Sequence, residues 1–225
     1  MAQNYKVNEL FQTIQGEGTY TGVPAIFIRL QGCDVGCSWC DTKNTWNIDP
    51  DKQKPLNALS DHSDQSSCWA AVSAQDMLNE INRLKYTAKL VVITGGEPCM
   101  VDLNELTELL HANHFQTQIE TSGTYPILTN EQTWVTLSPK VNMRGGKVVL
   151  QSALERANEI KHPVGRQKDI DQLDELLKQL SSTEGKTICL QPISQQASAT
   201  ALCSRVCIER NWRLSIQMHK YLGID

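Results

Sequence analysis

Apolar positions along this chain alternate between two periods. Pro24-Ala-Ile-Phe-Ile-Arg-Leu30 is a short, nearly continuous apolar run and predicts a buried strand. Ser73 and Asp76 then form a capping-box pattern, after which Met77, Leu78, Ile81 and Leu84 fall on one helical face. Lys89 to Thr94 predicts a second strand, closed by Gly95 and Gly96. Leu103, Leu106, Leu109 and Leu110 mark a helix, and Phe115 to Glu120 a strand. The rhythm continues with a strand at Trp134 to Leu137 and a helix carrying Ile170, Leu173, Leu176, Leu177 and Leu180. A strand at Lys186 to Gln191, a helix at Ala197 to Arg210 and a strand at Trp212 to Gln217 complete it.

Strands alternating with helices specify right-handed βαβ units and an α/β fold with a parallel sheet. About six parallel strands are too few for a closed eightfold barrel, so an open, partial TIM-like barrel with helices outside is expected. No internal repeat or linker divides residues 1–225, which predicts one core domain. Residues 47–67 break the rhythm. They are rich in Asp, Lys, Pro, Ser and Asn and predict a polar surface loop, with a lid or partner surface as the alternative.

Composition narrows the class. With 225 residues, 40% hydrophobic and 20% charged, the chain matches an ordinary globular protein. A formal charge of −4 gives no footprint for direct nucleic-acid binding. No apolar run approaches the ~18 residues of a membrane span. The start, MAQNYKVNELFQ, has neither a basic region followed by an apolar stretch nor a cleavage site, so a cytoplasmic location is expected. Eight cysteines in a reducing compartment then point to metal or catalysis rather than disulfides.

Three of them cluster. Cys33, Cys37 and Cys40 lie within eight residues directly after the first predicted strand, with Gly32 and Gly36 permitting tight turns. Soft thiolates select zinc or iron–sulfur. Structural zinc wants four protein ligands, and the next candidates, His62 and Cys68, lie beyond the polar loop. Three ligands without a fourth imply an open coordination position. Cys203 and Cys207 share a helical face without a third partner, and with Cys68, Cys99 and Cys189 they are expected in the core.

The spacing Cys-x3-Cys-x2-Cys at a strand's carboxyl end resembles the radical S-adenosylmethionine enzymes, in which three thiolates hold a [4Fe–4S] cluster and the cofactor's amino and carboxylate groups chelate the fourth iron. Thr94-Gly-Gly-Glu-Pro98 ends the next strand. Alone it is a turn whose glycines let a ligand approach the backbone, and Glu97 offers an acceptor for an ammonium group. After the cysteine motif it resembles the segment that receives the cofactor's amino group. Glu120-Thr-Ser-Gly123, Ser138-Pro-Lys140 and Gln191-Pro-Ile-Ser194 repeat this pattern of polar residues where strands stop.

Phe11-Gln-Thr-Ile-Gln-Gly-Glu-Gly18, Arg29, Cys40-Asp-Thr42 and the tail Trp212-Arg-Leu-Ser-Ile-Gln-Met-His-Lys-Tyr221 extend the likeness. With the motifs above, the chain resembles the 7-carboxy-7-deazaguanine synthase family from about Asn8 to Ile224, most like its enterobacterial-type members. That resemblance implies a carbon–nitrogen lyase of the queuosine route that contracts 6-carboxy-5,6,7,8-tetrahydropterin with release of ammonia. S-adenosylmethionine acts catalytically, through a 5′-deoxyadenosyl radical, with Mg2+ assisting. It further implies a homodimer and a one-electron donor such as flavodoxin. The roles it implies are as follows. Ile14, Gln15, Gly16, Glu17, Thr94, His219 and Asp225 would meet the pterin, and Arg29 its carboxylate. Thr42 would bind Mg2+. Trp39, Cys40, Asp41, Gly96, Glu97, Ser138, Pro139, Lys140, Gln191, Pro192, Ile193 and Ser194 would surround S-adenosylmethionine. Two other readings share parts of the pattern. A glycyl-radical activase has the cysteine spacing but no need of the Gln15-Gly-Glu17 segment, and a zinc-stabilised binding module has no use for the Gly-Gly strand end.

Overall fold

The computed structural model describes residues 3–59 and 67–224. One nine-stranded sheet runs through them. In chain order the elements are β1 (Tyr5–Ile14), β2 (Pro24–Leu30), β3 (Ala70–Val72), α1 (Ala74–Arg83), β4 (Leu90–Gly95), α2 (Asn104–Ala112), β5 (Gln116–Thr121) and β6 (Trp134–Leu137). Then come α3 (Gln151–Arg156), β7 (Glu159–Val164), α4 (Gln167–Leu177), β8 (Thr187–Pro192), α5 (Ala197–Arg210), β9 (Arg213–Leu214) and α6 (Met218–Leu222). The spatial order is β3-β1-β2-β4-β5-β6-β7-β8-β9. From β2 onward every pairing is parallel, while β1 and β3 add an antiparallel edge. The sheet is open, with β3 and β9 at its two edges.

This is the expected α/β partial barrel with one more parallel strand than the pattern predicted. The missing strand was β7. Its inward positions carry Glu159 and Lys161 and its end carries Pro163, so its hydrophobic signal is broken by buried charge. β1 escaped notice because its register shifts between Val7 and Glu9, which breaks the two-residue period. The strand expected at Trp212 to Gln217 is formed only at Arg213–Leu214. Within the polar loop, short 3-10 turns form at Pro50–Lys52 and Leu56–Ala58, and residues 60–66, His62 among them, lie outside the described residues.

Helices α1 to α5 bury one face each. In α1 the capping box is present: Ser73 Oγ accepts from the Asp76 amide at 3.2 Å, and Asp76 accepts from the Ser73 amide at 2.9 Å. Met77, Leu78 and Ile81 then pack into the large core between helices and sheet. Cys203 and Cys207 of α5 and Cys99 belong to that core, Cys189 is also buried, and Cys68 is half-buried.

The strands' other faces line the barrel interior, which is graded along its axis. Ala25, Leu90 and Val92 form a small apolar floor with Phe27 and Tyr20. One step up each strand, Arg29, Thr94, Glu120, Lys161 and Gln191 replace them around a cavity. Polarity is greatest where the strands end, although Gln118, Thr136 and Glu159 also carry it into the interior.

Two glycines set the top of the barrel. Gly95 has φ +117°, and a Cβ there would lie 2.2 Å from the Leu30 amide nitrogen. A Cβ on Gly96 would lie 2.0 Å from the Gly32 carbonyl oxygen. The space they free is filled by the chain's own backbone, since Gly96 donates to Leu30 (2.8 Å) and Glu97 to Gly32 (2.9 Å). We predict that Gly96→Ala costs at least ~3 kcal/mol of unfolding free energy, or prevents soluble folding. Gly146→Ala, whose Cβ meets nothing within 4 Å, should cost only about 1 kcal/mol in the same urea titration. Equal costs would refute the close-approach explanation.

Candidate active site

The cysteine loop leaves β2 and is tied down on three sides. On the first, Gly32 donates to the Thr45 carbonyl (2.6 Å) and Cys33 to that of Trp46 (3.0 Å). The buried Gln31 amide donates to the Asn44 and Asn47 carbonyls at 3.0 and 2.7 Å and accepts from Asn8 at 2.9 Å. The Gly95-Gly96 crossing supplies the second side. The third is the segment after β6: Gly145 donates to the Val35 carbonyl at 3.0 Å, and Lys147 pairs with Asp34 at 2.8 Å while the Tyr125 hydroxyl donates to Asp34 at 2.6 Å. Gly36, at φ +73°, turns the loop between its first two thiols.

Cys33, Cys37 and Cys40 all border one cavity of about 350 Å3 at the carboxyl ends of the parallel strands, where ligands bind in open α/β sheets. All three are free thiols. Burial pushes Cys33 up to about 11 and raises Cys37 as well, so both are neutral until a metal displaces their protons. Among the described residues no three His, Cys, Asp or Glu side chains are grouped to hold a single ion. A cluster makes a different demand, because each thiolate binds its own iron and the sulfurs need only border a common space. Three soft donors facing one cavity fit a cubane with one iron left open. The Trp46 indole N–H donates to Cys40 Sγ at 3.4 Å, and Thr42 Oγ1 lies 3.7 Å from the same sulfur.

The fold brings the remaining candidates to the same cavity. Ile14, Gln15, Gly16, Glu17, Arg29, Trp39, Asp41, Thr42, Thr94, Gly96, Glu97, Ser138, Lys140, Gln191, Pro192, Ile193, Ser194 and His219 all line it. Pro139 is buried behind the lining, and Asp225 lies outside the described residues. Details differ from the expectations. Glu97 is buried and already accepts four hydrogen bonds, from the Cys99 amide, the Thr121 hydroxyl, and the Ser122 amide and hydroxyl. A carboxylate has about four lone-pair sites, so an ammonium group would have to share one of these. Glu97 is therefore a strut joining the ends of β4 and β5. Arg29 commits its Nε to Glu9 at 2.7 Å and stacks 5.7 Å from the Phe11 ring, and no other ion pair of its guanidinium occurs among the described residues. Lys140, its charge disfavoured by burial, donates to the Ser138 carbonyl and hydroxyl.

The pattern reading missed a charged group in the interior. The Lys161 side chain is 4% exposed and reaches Glu17 as well as Glu120, the latter at 3.2 Å. Burial alone would raise the Glu17 pKa, but the Lys161 ammonium, its hydrogen bond and that of Gln217 overcome this and hold it at about 2. The tail closes the opposite side. Gln217 donates to Glu17 at 2.9 Å, Lys220 pairs with Asp41 at 3.2 Å, and the Met218 amide donates to Gly16 at 2.9 Å. A Cβ on Gly16 would strike the His219 ring at 2.4 Å, so this glycine lets the histidine pack over the cavity. Neither contact had a local signal, since the partners are far apart in sequence.

An open parallel barrel with three cysteines at its mouth defines an iron–sulfur enzyme of the radical S-adenosylmethionine class. The comparisons agree: residues 14–151 match a family described as "4Fe-4S single cluster domain". The 7-carboxy-7-deazaguanine synthase of Escherichia coli K12 is 60% identical over 98% of this chain and 99% of its own. That of Buchnera aphidicola is 46% identical over 98% and 99%, and that of a Synechocystis strain 36% over 98% and 94%. A solved structure described as "Crystal structure of QueE from Escherichia coli" superimposes with a TM-score of 0.94 at 59% identity, covering 96% of this chain and 95% of that one. The chain belongs to the 7-carboxy-7-deazaguanine synthase family.

We predict that Cys33→Ala, Cys37→Ala and Cys40→Ala each abolish cluster assembly during anaerobic reconstitution, with iron content and visible absorption falling to background. Cys203→Ala, in the core, should retain both. A cysteine-loop variant with full iron content would contradict the assignment.

Proposed function

We propose that this chain converts 6-carboxy-5,6,7,8-tetrahydropterin to 7-carboxy-7-deazaguanine with release of ammonia, as a radical S-adenosylmethionine lyase of queuosine biosynthesis. The observation carrying this reading is that one cavity joins the three-cysteine loop to Arg29, the Gln15-Gly-Glu17 loop and His219. When bound, the cluster and S-adenosylmethionine supply a hydrogen-abstracting 5′-deoxyadenosyl radical, which cluster-free protein residues do not provide.

The chain's own residues position and shield. Cys33, Cys37 and Cys40 hold three irons. Trp39, Gly96, Ser138, Lys140 and Gln191 to Ser194 enclose the cofactor, with Pro139 supporting them from behind and Glu97 fixing the strand ends against which it rests. Arg29 receives the substrate carboxylate, for which the unspent arm of a planar guanidinium is suited. Gln15, Glu17 and Thr94 meet the pterin ring, Ile14 and Gly16 bound it, and His219 covers it. Thr42, which lines the cavity, would supply the protein's oxygen ligand to Mg2+. The Gln217–Glu17 and Lys220–Asp41 contacts hold the tail over the mouth and exclude water.

The same reading carries a cytoplasmic, single-domain homodimer reduced by a flavodoxin-like donor. No helix among the described residues is long and apolar enough to cross a membrane.

The test is anaerobic turnover of reconstituted protein with reductant, S-adenosylmethionine, Mg2+ and the carboxytetrahydropterin. A deazaguanine chromophore should accumulate, and its absence from active-cluster protein would refute the reading. Arg29→Ala should raise KM ~10- to 100-fold with kcat changed less than about threefold, the signature of lost substrate binding. Unchanged KM would remove the carboxylate role.

A further inference from the structure

Lys161 is unusual for a buried lysine, because two acidic partners share it and both border a cavity. Its ammonium donates to Glu17, on the loop after β1, and to Glu120, at the end of β5. Gln15 joins the same array through its amide, which donates to Glu120 at 3.0 Å and to Gln118 at 3.3 Å. We propose that Lys161 is a positioning residue that fixes Glu17 and Glu120 as acceptor-only carboxylates on the cavity wall, where they receive an N–H-rich amidine edge of the substrate. The proposal deepens the pterin reading and rests on it.

Two carboxylates facing one cavity repel each other, and without a cation between them proton uptake by one is favoured. A protonated carboxyl presents a donor, which opposes the N–H donors of an aminopyrimidinone edge. One ammonium between two carboxylates leaves a net single negative charge and unused acceptor lone pairs, the complement of such an edge. Other charged groups surround the array. Glu159 lies below it on β7, Lys140 beyond β6, His219 on the tail near Glu17, and Asp41 beyond Gln217. Of the cations that line the cavity, Arg29, Lys140, Lys161 and Lys220, Lys161 alone pairs directly with both acids among the described residues.

The test uses Lys161→Met, Lys161→Arg and Glu120→Gln in the reconstituted enzyme with S-adenosylmethionine. The readout is equilibrium binding of 6-carboxypterin, followed by its fluorescence, between about pH 6 and 8. Wild type should bind with a flat profile, because Glu17 titrates near 2. Without the ammonium, burial raises Glu17, so Lys161→Met should bind at least ~10-fold more weakly and lose further affinity as pH falls. Lys161→Arg should restore the flat profile. Glu120→Gln should weaken binding while leaving it flat, because Lys161 still holds Glu17.

Melting temperature gives a second readout that needs no pterin. The unpaired Glu17 of Lys161→Met is relieved as it protonates, so the wild-type advantage should be largest at pH 8 and shrink toward pH 5. Wild-type affinity and a flat profile in Lys161→Met, or a melting difference independent of pH, would overturn the proposal. So would Glu120→Gln binding the probe as wild type does. If wild-type holoenzyme fails to bind the probe, the pterin reading and the amidine half of this proposal fall. The melting comparison then still decides whether Lys161 keeps Glu17 charged.

Discussion

The site depends on one backbone crossing, where the loop leaving β2 lies against the end of β4 with no side chain between them. The Gly32 carbonyl accepts from the Glu97 amide at 2.9 Å, and the Leu30 carbonyl accepts from Gly96 at 2.8 Å. This crossing carries the three cysteines over the open end of the barrel. It also starts a chain of fixed positions, because Glu97, immediately after it, is pinned to Thr121 and Ser122 at the end of β5. The cysteine loop, β4 and β5 are therefore tied to one another by direct hydrogen bonds. Such rigidity matters in a site that must hold a reactive intermediate close to one hydrogen of its substrate.

Inside that frame the barrel spends stability on function. Its floor is apolar, but its wall buries Lys161 and Glu159 and half-buries Glu17 and Glu120. Buried charges stabilise little even when paired, and removing one partner is costly. Glu159 shows the tension most clearly: one oxygen accepts from the Thr19 amide at 2.7 Å, while the other has no hydrogen-bond partner among the described residues. Gly18 sits against that oxygen, at the place where a Cβ would come within 2.2 Å. Violations of ordinary burial rules gathered in one region mark it as the working part of the molecule.

Much of this was legible in the sequence, for reasons of range. The cysteine spacing, the Gly-Gly strand end and the capping box of α1 are local, so their chemistry is written within a few residues. The helix over Ala197–Arg210 has the bounds its pattern predicts. What was hidden is non-local or runs against the pattern. β7 lost its strand signature because Glu159 and Lys161 occupy inward positions, and β1 lost its own at the Val7/Glu9 register shift. The Lys161–Glu17 contact joins residues 144 apart, which no spacing rule detects. Gly96 was visible as a close-approach glycine, yet its partner is the cysteine loop's backbone rather than a ligand alone.

The central claim is that three thiolates hold a cubane whose fourth iron has no protein ligand. Mössbauer spectroscopy of protein reconstituted with isotope-enriched iron, with and without S-adenosylmethionine, measures this directly. The account predicts a four-iron cluster in which one iron alone changes its isomer shift and quadrupole splitting when the cofactor binds. Four equivalent irons indifferent to S-adenosylmethionine, or tetrahedral zinc in place of iron, would contradict it.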